Sequence, residues 1–152
     1  MTMKFLDHGC ILALVLLAAL LTVPALGGSR MTVRNSSGST IGRIESNGTV
    51  RNSSGSTIGR IENNGTVRNS SGSTSGRIES NGTVRNSSGS TIGRIESNGT
   101  MRSSSGSTIG RIDGCRVRSA SGSGVGRFDG CSGGDLHTMA GYLFFFTPLH
   151  NR

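Results

Sequence analysis

The chain has 152 residues, a formal net charge of +8, 25 glycines and no tryptophan. That length suits one domain and not two once a leader is set aside, and aromatic residues at 4% leave few rings to stack on nucleic-acid bases. The positive balance can attract acidic glycans, lipopolysaccharide or a membrane surface. Its basic residues are dispersed, however, which argues against a dedicated nucleic-acid site.

Residues 1–28, MTMKFLDHGCILALVLLAALLTVPALGG, carry Lys4, an apolar run from Ile11 to Val23 and a small-residue exit through Ala25 and Gly27. This is the layout of a secretory signal peptide, with cleavage expected near Gly27 or Gly28. The run of about 13 residues is shorter than the roughly 20 needed to span a bilayer, so no transmembrane span is expected after cleavage. Cys10 precedes the run and does not resemble a lipoprotein acceptor. Beyond the leader the chain has fifteen arginines, no lysine and seven acidic residues.

From Thr32 the phrase TVRNSSGSTIGRIESNG recurs with a period of 17 residues, starting at Thr32, Thr49, Thr66, Thr83 and Thr100, with a shifted sixth unit at Arg116. Each unit has two apolar patches. The first holds Val33, Val50, Val67, Val84, Met101 or Val117. The second holds Ile41 and Ile44 or their equivalents, with Ser75 in one slot and Val125 and Phe128 in the last unit. β-branched residues bounded by Gly, Asn and Ser predict short strands. Asn-Gly predicts a tight hairpin turn in which both residues tolerate positive φ, and NSSGS a longer one.

Glycine recurs too often, and with no 3.6-residue apolar stripe, for the repeats to be helical. Two isoleucines three positions apart would face opposite sides of a regular strand. A bulge at Gly42 and its equivalents is expected to turn both inward; without it one faces solvent. The fold class is therefore all-β, with hairpin repeats over residues 29–133. Closure into a ring would hide the strand edges.

Cys115 and Cys131 each follow Asp-Gly at the end of a unit. In an exported chain they form a local disulfide or remain two free thiols, and their spacing is not that of a metal site. Residues 134–152 contain the densest apolar segment after the leader, from Ala140 to Pro148. With Tyr142, Phe144, Phe145 and Phe146 it is expected to form a last strand or to cover one end of the ring; the alternative is an exposed docking patch.

The units VRNSSGSTIGRIESNGT, the leader and the aromatic AGYLFFFTP together resemble the five-fold β-flower proteins of Bacteroides and related bacteria, from about Thr32 to Pro148. The resemblance implies hairpins arranged as petals about a central axis, and it carries over no catalytic residues. Five petals with a closing seam between the first TVR and the last VGRFDG fit the spacing, and so do six.

Two kinds of residue could carry chemistry. Asp135 and His137, with His150 beyond them, are the one enzymatic alternative; the abundant serines have no histidine partner within the repeats and read as turn residues. No catalytic residue, metal or cofactor is expected. Asn35-Ser36-Ser37 and Asn47-Gly48-Thr49 spell glycosylation acceptors but read as turns.

The repeated arginines are the sharper feature. Arg34, Arg51, Arg68, Arg85, Arg102 and Arg118 hold one slot, and Arg43, Arg60, Arg77, Arg94, Arg111 and Arg127 another. In a closed flower each set forms a ring able to meet sulfate, phosphate or carboxylate groups. The competing reading pairs each arginine with Glu45, Glu62, Glu79, Glu96 or Asp113 on a solvated surface. The expected role is an exported structural or binding module of the bacterial cell envelope, whether periplasmic, outer-surface or secreted. As alternative, its arginine rings bind acidic glycans or other polyanions. An acidic glycan or another envelope component is the expected partner.

Overall fold

A computed structural model describes residues 29–147. The proposed leader and the last five residues, including His150, lie outside that range. Twelve antiparallel strands follow one another. They are β1 (Ser29–Asn35), β2 (Thr40–Glu45), β3 (Thr49–Asn52), β4 (Thr57–Ile61), β5 (Thr66–Asn69) and β6 (Thr74–Ile78). The second half holds β7 (Thr83–Asn86), β8 (Thr91–Ile95), β9 (Thr100–Ser103), β10 (Thr108–Asp113), β11 (Arg116–Ser119) and β12 (Gly124–Asp129). A 3-10 turn at Gly133–Asp135 leads into a helix, α1 (Leu136–Phe145). Each strand pairs with its sequence neighbours, and β12 pairs with β1 to close a barrel with no free edge.

The closure repeats the internal geometry. At the seam Val33 faces Phe128 and Arg34 faces Arg127, the register in which Val50 faces Ile44 and Arg51 faces Arg43. The ring therefore contains six hairpins joined through NSSGS-type turns and five Asn-Gly or Asp-Gly connections, with the seam in place of the sixth. Five and six are both right, depending on which turn is counted. Because no turn is needed at the seam, Met31 occupies there the slot that Gly48 holds between β2 and β3, and it is fully buried against Ile44.

The bulge is present but lies one residue earlier than expected. Val33 faces Gly42 while Arg34 faces Thr40, so Ile41 is the extra residue, and the same shift recurs at the matching isoleucines. It leaves Ile44 buried and Ile41 partly buried against the core, with Gly42 facing inward and Arg43 outward.

The turns also differ from expectation. Gly48 N–H donates to the Glu45 carbonyl at 2.9 Å, and only the glycine takes a positive φ, 84°. These are three-residue connections with glycine in the left-handed position, not two-residue turns with both residues there. The asparagines instead accept from backbone: Asn47 Oδ1 takes the Thr49 N–H at 2.9 Å, and Asn52 Oδ1 takes those of Ser54 and Ser56 at 3.0 Å.

The tail is not a last strand. It folds as α1, packed into the core that the inward faces of the strands form, and it is not an exposed patch. Met139, Ala140, Gly141, Tyr142, Leu143 and Phe144 are buried in one core with the inward valines and isoleucines of the ring. The glycine of the IGRI patch is hemmed in by a backbone carbonyl of the facing strand in all six units, and in four of them by an aromatic ring of the tail as well. Tyr142 lies against Gly42, Phe146 against Gly59, Phe145 against Gly76 and Phe144 against Gly93, each where a Cβ would overlap the side chain. Four strands thus present bare backbone to four aromatic side chains from one segment. Tyr142 also meets Phe128 edge-on, with ring centroids 5.8 Å apart.

Candidate anion-binding surface

Strand alternation that buries valine and isoleucine sends the arginines outward. The first set is tied down. Arg51, Arg68, Arg85 and Arg102 each donate from Nε to Glu45, Glu62, Glu79 and Glu96 respectively, at 2.6–2.8 Å. Each also donates from a terminal nitrogen to a turn glycine carbonyl at 3.0–3.1 Å and to a threonine hydroxyl at 3.1–3.4 Å. Across the seam Arg34 Nε donates to Asp129 Oδ2 at 2.6 Å, so the pattern continues through the closure.

The carboxylates respond to this contact. The hydrogen bond from Arg68 holds Glu62 below its ordinary value, assisted by the charges of Arg68 and Arg60 and opposed by partial desolvation. Arg102 and Arg94 do the same to Glu96. Asp129 is lowered by its hydrogen bond from Arg34 and then by Arg127.

The second set is not tied down. Arg43, Arg60, Arg77, Arg94 and Arg111 are exposed, and among the described residues none of them has a carboxylate within ion-pair distance; Arg127 alone reaches one, Asp129 Oδ1, at 2.8 Å. Register places the two sets side by side: Arg43 faces Arg51, Arg60 faces Arg68, Arg77 faces Arg85, Arg94 faces Arg102, Arg111 faces Arg118 and Arg127 faces Arg34. What the sequence presents as two rings is one belt of paired arginines around the barrel. In five of the six pairs the first-set arginine holds the carboxylate and its neighbour is left over; at the seam Arg34 and Arg127 both reach Asp129. Like charges directly opposite on a sheet repel, and an anion between them relieves the repulsion.

Asp135 and His137, the residues of the enzymatic alternative, border one groove but differ in exposure. Asp135 is 2% exposed, and its Oδ2 accepts from the N–H and hydroxyl of Ser132, each at 2.8 Å, which fixes the turn into α1. His137 is exposed on an open groove of about 780 Å³ between the start of α1 and the turns after β4 and β6. Cys115 and Cys131 form a disulfide with Cα atoms 5.9 Å apart, joining the start of β11 to the chain leaving β12 for the interior. Sequence reasoning passes over Arg116. It stands where the other units have threonine, and that departure from the repeat is the available signal.

A ring of short hairpin repeats closed by its own termini, with no edge left for another strand, defines a closed β-repeat protein. The 5-fold beta-flower protein family matches residues 30–147. The chain belongs to that family. No curated protein and no solved structure gives a match.

Proposed function

We propose that the protein is an exported binding module of the bacterial cell envelope whose arginine belt holds acidic glycans, with a non-catalytic role. The observation that carries this reading is the row Arg43, Arg60, Arg77, Arg94 and Arg111, exposed beside a second arginine row that has already taken the carboxylates. A closed barrel holds the backbone positions of these groups at fixed spacing, so little backbone freedom is lost on binding. Export is supported by the leader-like residues 1–28 and by a disulfide suited to an oxidising compartment.

The test is retention of the folded protein on an immobilised acidic polysaccharide under a salt gradient. The wild type is expected to be retained and to elute with salt; a variant with those five arginines changed to glutamine should elute near the void. Equal elution of the two would remove the reading.

A further inference from the structure

We infer that the seam of the barrel holds one discrete oxyanion site, formed by Arg116, Arg118 and Arg127, that takes a sulfate or phosphate ester group carried on a glycan. This deepens the belt reading and rests on it, because it names where on the belt the tightest contact is made.

Three departures from the repeat meet there. First, Arg116 replaces the threonine found in the same slot at Thr49, Thr66, Thr83 and Thr100, and it faces Arg127, which in turn faces Arg34. Three guanidinium groups therefore lie in a row across β11, β12 and β1. Arg34 and Arg127 share the single carboxylate of Asp129, and Arg116, which is exposed, has no ion pair among the described residues.

Second, Arg118 is the loosest member of its set. Its acidic partner is Asp113, shorter than glutamate by one methylene, and the pair stands 3.6 Å apart, against 2.6–2.8 Å in the four units before it. Gly124 replaces the threonine whose hydroxyl holds Arg51 and its equivalents, and the bond from Arg118 to the Gly122 carbonyl lengthens to 3.3 Å. Third, Gly124 lacks a side chain where the others have one. A depression of about 290 Å³ opens there, lined by Arg116, Arg118, Arg127, Gly124, Asn35 and Ser36.

The donor geometry selects the ligand class. A carboxylate offers two oxygens and is served by one guanidinium fork. Three guanidinium groups arriving from two adjacent strands suit a group with three free oxygens, as in a sulfate or phosphate monoester, and Ser36 lines the same depression. The disulfide at Cys115, adjacent to Arg116, ties the start of β11 to the segment after β12 and so limits how far the arginines can separate.

The test uses the folded chain with its disulfide intact, following the side-chain Nε–H signals of arginine by NMR. It is titrated separately with a sulfated disaccharide, the desulfated disaccharide and inorganic sulfate. The sulfated sugar is expected to shift Arg116, Arg118 and Arg127 at concentrations that leave Arg60 and Arg77 unmoved. Arg116→Thr, which restores the residue of the other units, should weaken binding about tenfold, and Arg60→Gln, at a belt position away from the seam, should weaken it clearly less. Equal losses in the two variants would overturn the seam site while leaving the belt reading intact. Equal affinity for inorganic sulfate would overturn the glycan assignment, and no response of the wild type to any probe would overturn both readings.

Discussion

The ring of Phe145 occupies the space that a Cβ on Gly76 would need. A residue of the tail, together with the Arg85 carbonyl of the facing strand, thereby leaves no room for a side chain in the middle of the third repeat. The same relation ties Phe144 to Gly93, Phe146 to Gly59 and Tyr142 to Gly42. Barrel and helix are thus complementary surfaces, and the belt outside depends on the packing inside.

Gly76→Ala should therefore cost about 1–3 kcal/mol of stability, because both the Phe145 ring and the Arg85 carbonyl block the new methyl. Gly72→Ala is the control. Its φ is 82° with open space around it, so only backbone strain of about 1–2 kcal/mol applies. Urea denaturation of both variants checks the difference, and phenylalanine ring signals in NMR should move in the first and stay in the second.

Acid should weaken the barrel through the outer carboxylates. Glu62 and Glu96 lie below their ordinary 4.5, and Asp129 below 3.8, chiefly through hydrogen bonds from arginine. A group whose folded value is depressed contributes its full stabilisation above the unfolded value and loses it as pH falls through the folded one. Stability is expected to be level at neutral pH and to fall in that acid window. Glu62→Gln and Glu96→Gln together should flatten the fall, as thermal melts across the range would measure.

Base acts through the helix. Burial raises the Tyr142 phenol above its ordinary 10.0. The unfolded chain then releases this proton at lower pH than the folded one, so stability should decline as pH rises past the unfolded value. Phenolate absorbance should appear together with loss of the barrel. Tyr142→Phe, which keeps the ring against Phe128, should delay unfolding to higher pH.

Reduction of the disulfide releases a loop with a sequence separation of 16. A loop of about 15 residues corresponds to about 3 kcal/mol in the chain-entropy account. Cys115→Ser with Cys131→Ser should lower the denaturation midpoint accordingly. Amide exchange should quicken first in β11, β12 and the start of α1, where the bond joins the ring to its filling.

The hairpins are legible in the sequence because their causes are local: a valine or isoleucine at fixed offsets, and glycine where a turn needs positive φ. The helix is not. AGYLFFFTP lacks an amphipathic stripe because α1 is surrounded by barrel wall and has little polar face to present, and its aromatic residues favour strands as readily. Gly42 reads as a bulge for a similar reason. The space beside it is taken by the Arg51 carbonyl of the facing strand and by the Tyr142 side chain, which lies 100 residues away in sequence. The arginine slots are visible, but their union into one belt depends on cross-strand register, and register is a property of the closed ring. Arg116 is a readable break in the repeat, yet only the pairing of β11 with β12 shows that it faces Arg127.

The belt as a polyanion surface is tested most directly by measuring the affinity for one sulfated polysaccharide at a series of salt concentrations. Wild-type affinity should fall steadily as salt rises, and changing Arg43, Arg60, Arg77, Arg94 and Arg111 to glutamine should remove both the affinity and its salt dependence. An affinity indifferent to salt, or one unchanged in that variant, would contradict the account.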